Sequence, residues 1–160
     1  MIIRKARLKD IPEIIGHWKN FMSEHKKLLK HPGEKENSEF LSNSTNIYRN
    51  FLRKNIKGRN SVVFVVDDGS AISGFIIAQI RENIPLFKIK KLCFITDLYV
   101  TKHTRGRRNS SSLFDNVCKW AKSKGVTYVS LNVQPENILA RKIYEKWGFF
   151  ANRIEMRKKL

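Results

Sequence analysis

The stretch TRGRRNSSSL, residues 104 to 113, sets three arginines, one glycine and three serines at the start of a helical apolar pattern. A strand pattern, KLCFITDLYV (91–100), runs into it. A helix N-terminus presents unpaired N–H groups and partial positive charge, so this junction suits an anion. Gly106 lets the chain turn sharply, the small Ser110, Ser111 and Ser112 let a ligand come close, and Lys102, Arg105, Arg107 and Arg108 add diffuse positive charge. A pyrophosphate fits that layout better than a nucleic-acid duplex, whose contacts need cations spread over a wide face. Asp97 is the single acid of the 91–100 strand and the second group of interest. The third is NILARKIYEKWGF (137–149), where Asn137 stands at a helix start and Tyr144 brings a phenol, pKa ~10 when unperturbed. Tyr144 shares a helical stripe with Leu139, Ala140, Ile143 and Trp147, so core packing accounts for it unless its context says otherwise. His17 and His25 lie in an apolar-periodic helix without partners and read as ordinary packed or solvated residues. Cys93 and Cys118 match no metal spacing and read as small buried hydrophobes; no metal is expected.

These groups need elements to hold them. Residues 2–5 predict a short strand. Asp10 and Glu13 predict a capping box for a helix carrying Ile11, Ile14, Ile15, Trp18, Phe21, Met22, Leu28 and Leu29 on one face. The polar KHPGEKENSEFLSN, with Pro32 beside Gly33, reads as a loop over 30–43. A second amphipathic helix spans about 44–57. SVVFVVD (61–67) and AISGFIIAQI (71–80), joined by DDGS, predict a hairpin. The strand 91–100 is followed by a helix from Ser110 or Ser111 to Gly125, a strand at 128–133, a helix at 138–147, and a last strand or pair of strands in FFANRIEMRKKL. No repeat or linker divides the chain, so a single α/β (α+β) domain over 1–160 is expected.

The formal net charge of +18 attracts polyanions: nucleic acids, acidic protein surfaces or phosphorylated cofactors. Lys and Arg are scattered along the whole chain, the distribution of solvated faces; weak non-specific contact with nucleic acid or acidic proteins is the expectation. No apolar run approaches the ~20 residues of a membrane span, and MIIRKARLKD lacks the layout of a signal peptide. A cytoplasmic location, no membrane partner and a monomer or homodimer are expected.

DLYVTKHTRGRRNSSSLF followed by LNVQPENILARKIYEKWGF resembles the GNAT superfamily of acetyl-CoA-dependent N-acetyltransferases. That family carries Arg/Gln-x-x-Gly-x-Gly/Ala after such a strand, and Asn-x-x-Ala-x-x-(apolar)-Tyr-x-x-x-Gly-Phe downstream. Asn137, Ala140, Ile143, Tyr144, Gly148 and Phe149 match the second block throughout. In the first, Arg105 and Ser110 fit, while Arg108 replaces the first motif glycine. Arg108 either turns outward to pair with phosphate, or it marks a degenerate member that binds acetyl-CoA poorly. The resemblance implies a GNAT-like mixed sheet of about six to seven strands, about four helices, and a V-shaped splay between 91–100 and 128–133. It implies acetyl-CoA as cosubstrate, held by Leu98, Tyr99, Val100, Arg105, Gly106, Arg107, Arg108, Asn109, Ser110, Ser111, Asn137 and Tyr144. Asn137 would orient cofactor amides or serve only as a helix cap. Tyr144 takes the general-acid position, and Asp97 is the acid retained on the strand where polyamine-type members have two, Thr96 replacing the other; water can also relay protons to Glu24. The implied activity is direct acetyl transfer to an amine of an unidentified acceptor. The alternatives are a nucleic-acid-binding module on this scaffold and a non-catalytic CoA-binding protein.

Overall fold

SVVFVVD and SGFIIAQ are apolar on both sides of the strand, a pattern that demands cover on both faces of a sheet. The computed structural model, which describes residues 1–160, makes them its central strands, β2 (Ser61–Asp67) and β3 (Ile72–Glu82). β1 (Ile2–Lys5) pairs antiparallel with β2, and β4 (Lys91–Val100) antiparallel with β3. β5 (Val129–Leu131) adds to β4 in parallel, giving the order β1-β2-β3-β4-β5.

Helices α1 (Ile11–Lys26) and α3 (Ser44–Lys57) cover one face. Ile14, Trp18, Tyr48 and Leu52 meet Val63, Val65, Phe75, Ile77 and Tyr99 there, with the Trp18 and Tyr48 rings stacked 4.2 Å apart. Helix α4 (Asn109–Ser123) covers the other, placing Leu113, Val117 and Ala121 on Phe64, Val66, Ile76 and Cys93. Each fully buried aliphatic side chain contributes about 1.5–3 kcal/mol. Cys93 is fully buried, which pushes its thiol up to about 12; burial also raises half-buried Cys118.

Four expectations need correction. The sheet has five strands, not six or seven. The expected 128–133 strand is ordered only over Val129–Leu131, and residues 150–160 contain no strand. Five α-helices form, because 30–43 contains α2 (Pro32–Asn37) before the last helix, α5 (Ile138–Lys146). His31 starts α2: its Nδ1 accepts from Gly33 N–H at 3.0 Å, while Glu34 accepts from His31 N–H at 3.3 Å. Asp10 and Glu13 do not form a capping box. Asp10 accepts from Arg4 and from Arg7 N–H, and Glu13 accepts from Ile72 N–H at 2.7 Å, tying α1 to β3.

Candidate active site

The hydrogen-bond register between β3 and β4 slips at Ile77/Ala78, where Ile95 faces Ala78 and Asp97 faces Ile77. Thr96 is the extra residue of a β-bulge, which bends the strand and shifts the alternation by one. Beyond it Leu98 and Val100 face the α4 core and Tyr99 the α1–α3 core. Thr101 N–H bonds to Ser73 O on β3, so by alternation the peptide groups of Val100 and Leu98 point to the other side. There β5 pairs with β4 only at Cys93, Phe94 and Ile95. The C-terminal half of β4 therefore runs with one edge open, at the expected splay. A Cβ on Gly74, opposite Val100, would come within 2.8 Å of Tyr99 O, so this position requires glycine.

The open edge leads into the phosphate-like loop. Thr101 and Thr104 hydroxyls meet at 2.8 Å, and the buried Asn109 amide donates to Thr104 O at 3.1 Å. Asn109 is thus a brace: its side chain turns inward and leaves only its N–H for a ligand. Gly106 (φ 79) and Arg108 (φ 61) are both left-handed, and Arg108 is the residue before α4. The left-handed demand at 108 is why a glycine suits this motif position, and Arg108 meets it under strain. The N–H groups of 106–111 make no hydrogen bond within the chain, and left-handed residues alternating with ordinary ones curl a backbone into an anion nest. Ser110 and Ser111 are half-buried in the first turn of α4.

Arg105 does not extend into this nest. Its Nε donates to Val100 O at 3.0 Å, its Nη2 pairs with Glu24 at 2.8 Å, and its guanidinium lies 5.6 Å from the Tyr99 ring centre. The Tyr99 hydroxyl donates to the same carboxylate at 3.2 Å. Burial alone would raise Glu24, but Arg105 and Tyr99 outweigh it and hold the acid below its ordinary range. Asp97 is different: burial pushes it up to about 6, against opposing hydrogen bonding from Thr96 and Tyr48. The Tyr48 hydroxyl is close enough to act on Asp97, yet it is buried without a hydrogen-bond partner of full geometry. Tyr48 was legible only as a core position of α3; nothing in the sequence joined it to Asp97.

Tyr144 sits across the sheet. Its ring lies 5.7 Å from those of Trp147 and Phe149, and Trp147 stacks on Phe114 of α4 at 4.6 Å. Burial raises its phenol, whose oxygen bonds to no group of the chain. Asn137 caps α5, accepting from Ala140 N–H at 3.2 Å. The arrangement thus gathers the open β4 edge, the 106–111 nest and the Glu24–Arg105–Tyr99 group around the end of β4. Asp97 lies on the α1–α3 side and Tyr144 on the α4 side. A cavity of about 470 Å³ lies elsewhere, between the far ends of α3 and α4. Its Lys5, Arg59 and Lys124 answer the carbonyl ends of those helices.

The model of the acetyltransferase (GNAT) family matches residues 25–149. The uncharacterized N-acetyltransferase YhfO of Bacillus subtilis is 23% identical over 99 residues, 62% of this chain and 65% of that relative's length. A tetramutant of the BH1408 protein from Bacillus halodurans shares the fold with a TM-score of 0.83 and 24% identity over 100% of both chains. A predicted acetyltransferase from Clostridium acetobutylicum, solved with acetyl-CoA, superposes with a TM-score of 0.76 and 18% identity, over 99% of this chain and 95% of that one.

Proposed function

This chain belongs to the acetyltransferase (GNAT) family, and from that premise we propose that it transfers the acetyl group of acetyl-CoA directly to a primary amine. One observation carries the reading: the unpaired edge of β4 at Leu98–Val100 runs straight into six free N–H groups at 106–111. An amide-bearing arm finds peptide partners along the first, and a pyrophosphate finds donors in the second. The similar Clostridium protein solved with acetyl-CoA supports the same cosubstrate. Arg107 and Arg108, both exposed, add charge beside the nest.

The cosubstrate supplies an activated acyl group: its C–S bond breaks as the C–N bond forms, with no covalent enzyme intermediate. Leu98 N–H, aimed into the splay, polarises the carbonyl as negative charge develops on its oxygen. An acceptor amine arrives mostly as ammonium at neutral pH and must lose a proton. Asp97, raised to about 6 by burial, is ionised at neutral pH and basic enough to take it, directly or through a water. Tyr144, on the other side of the splay, returns a proton to the departing thiolate. Glu24, Glu34, Glu36 and Glu39 lie at the α1–α2 end of the chain among an equal number of lysines, Lys26, Lys27, Lys30 and Lys35, so this end carries no net charge that would select a positively charged acceptor. The acceptor is a protein, a peptide or a small amine.

Calorimetric titration of acetyl-CoA, followed by thiol release with a panel of amines and peptides, tests the reading. Binding followed by amine-dependent release is the expected result. Failure of both acetyl-CoA and CoA to bind would overturn it.

A further inference from the structure

The connection from β3 to β4 is apolar where surface turns are ordinarily polar. Phe87 N–H bonds to Ile84 O at 3.0 Å, closing a tight turn with Pro85 and Leu86 at its tip. Pro85 suits such a turn through its fixed φ, but its companions are usually Gly, Asn, Asp or Ser. Here Ile84, Leu86, Phe87 and Ile89 are 43, 91, 49 and 39% exposed. The loop is braced from below. Asn83 N–H bonds to Lys90 O at 2.8 Å, and the Asn83 side-chain amide donates to Ile89 O at 2.9 Å. A braced loop thus holds a leucine out in water, where it adds nothing to the core; a cluster of this kind marks a contact surface.

Cations scattered through the sequence meet around this tip. Arg81, Lys88, Lys90 and Lys91 belong to the hairpin, and Glu82, the only acid over 79–95, already pairs with Lys91 at 3.7 Å. The start of β2 lies alongside, Ser61 opposite Gln79, and brings Lys57 and Arg59. Tyr128, whose carbonyl accepts from Cys93 N–H, brings the end of α4 with Lys124. Neither flanking stretch, 54–61 or 119–128, contains an acid.

We propose that this end of the molecule docks on an anionic lipid bilayer, Leu86 and Phe87 entering the headgroup layer while the surrounding cations face lipid phosphates. A second copy would set like charges against each other. A protein partner would need both a pocket for a protruding leucine and acids on several sides of it. An anionic bilayer offers apolar depth and negative charge at every point of its surface. Docking of this kind needs no spanning segment. The ten residues of β4 carry the chain about 30 Å from this hairpin toward the 106–111 nest. The docked molecule therefore keeps the nest turned to solution, and docking is independent of acetyl transfer.

Co-sedimentation at about 0.1 M salt compares vesicles of phosphatidylcholine alone with vesicles of phosphatidylcholine and phosphatidylglycerol in equal parts. The full chain is expected on the anionic vesicles only. Lys88→Gln with Lys91→Gln should weaken binding roughly 30-fold, about fivefold for each cation near an anionic surface. Lys19→Gln with Lys27→Gln takes the same charge from exposed positions of α1, which meets the far end of β4 at Tyr99, and should lose far less. Leu86→Asp should weaken binding by roughly tenfold or more. Leu86→Trp should add a signal that brominated lipid quenches, beyond that of the three native tryptophans. Circular dichroism melts of each variant should match the wild type. No binding to the anionic vesicles overturns the proposal. So does an equal loss from the α1 pair, which would make overall charge the cause, or binding that ignores Leu86→Asp. A doubled chain mass in light scattering that Leu86→Asp reduces to one would make a second copy the occupant instead.

Discussion

Asp97 is an acid that burial holds near neutrality, and its protonation should be visible in both rate and stability. As the base it must be ionised, so acetyl transfer should rise as pH climbs through about 6. Asp97→Asn should remove that limb and lower turnover by ~10²-fold or more, read by thiol release across pH. The folded pKa lies above the unfolded value of 3.8, so the group's contribution is fullest below pH ~4 and is lost as pH rises through about 6. Asp97→Asn should therefore raise the melting temperature at pH 8 and leave it unchanged at pH 4. Tyr144→Phe keeps the ring on Trp147 and Phe149, so the fold and acetyl-CoA affinity should survive. Turnover should fall ~10²–10⁴-fold; full turnover, with chemistry rate-limiting, would make the phenol a packing residue.

Arg108 shows what a loop demands of its sequence. Its φ of 61 strains any residue with a Cβ, so Arg108→Gly should raise stability by about 1 kcal/mol in denaturant melts. If the side chain also pairs with phosphate, acetyl-CoA affinity should hold or fall, with a weaker salt dependence; a large gain in affinity would show the arginine to be an obstruction. At the opposite edge, Arg4 bridges Asp10 and Asp67 at 2.7 and 2.6 Å. Burial would raise Asp10, but Arg4 and Arg7 N–H hold it below its ordinary value. Its contribution is thus present above pH ~4 and lost as pH falls through the depressed pKa. Arg4→Met should cost about 3 kcal/mol at pH 7 by stranding a buried acid, and much less at pH 2. Sequence periodicity revealed α1, α3 and α4 because each buries a regular stripe, and unbroken apolar runs revealed the central strands; α2, which buries no residue, read as a loop. The sequence also located the strand–loop–helix junction, since glycine and serine clusters have local causes. The β-bulge at Thr96 was not legible, being a mismatch between two strands, nor was the pairing of Arg105 with Glu24, 81 residues away. The last strand or pair of strands expected in FFANRIEMRKKL has no counterpart in the structure, which has no strand after β5.

The whole molecule carries its +18 charge on scattered side chains, and the loop that suits a phosphate occupies one end of α4 alone. No helix is long and apolar enough to cross a membrane. Oligonucleotides should therefore bind weakly, without regard to sequence, and dissociate at moderate salt in fluorescence anisotropy titrations. Tight, salt-resistant binding to one sequence would show instead a dedicated nucleic-acid surface. Acetyl-CoA present at ~100 times its dissociation constant should stabilise the fold by roughly 2.7 kcal/mol, a shift that a solvated cationic surface alone does not produce.

The two cysteines, Cys93 buried and Cys118 half-buried, bear on how all of this is measured. A thiol held at about 12 is a thiolate in roughly one molecule in ten thousand at pH 8, and the thiolate is the form that a disulfide reagent captures. Cys93, fully enclosed, is thereby silent to such a dye while the fold lasts, and Cys118, raised by burial, reacts slowly. The colour that develops during turnover then belongs to released coenzyme, and a sudden burst of two equivalents per chain reports unfolding.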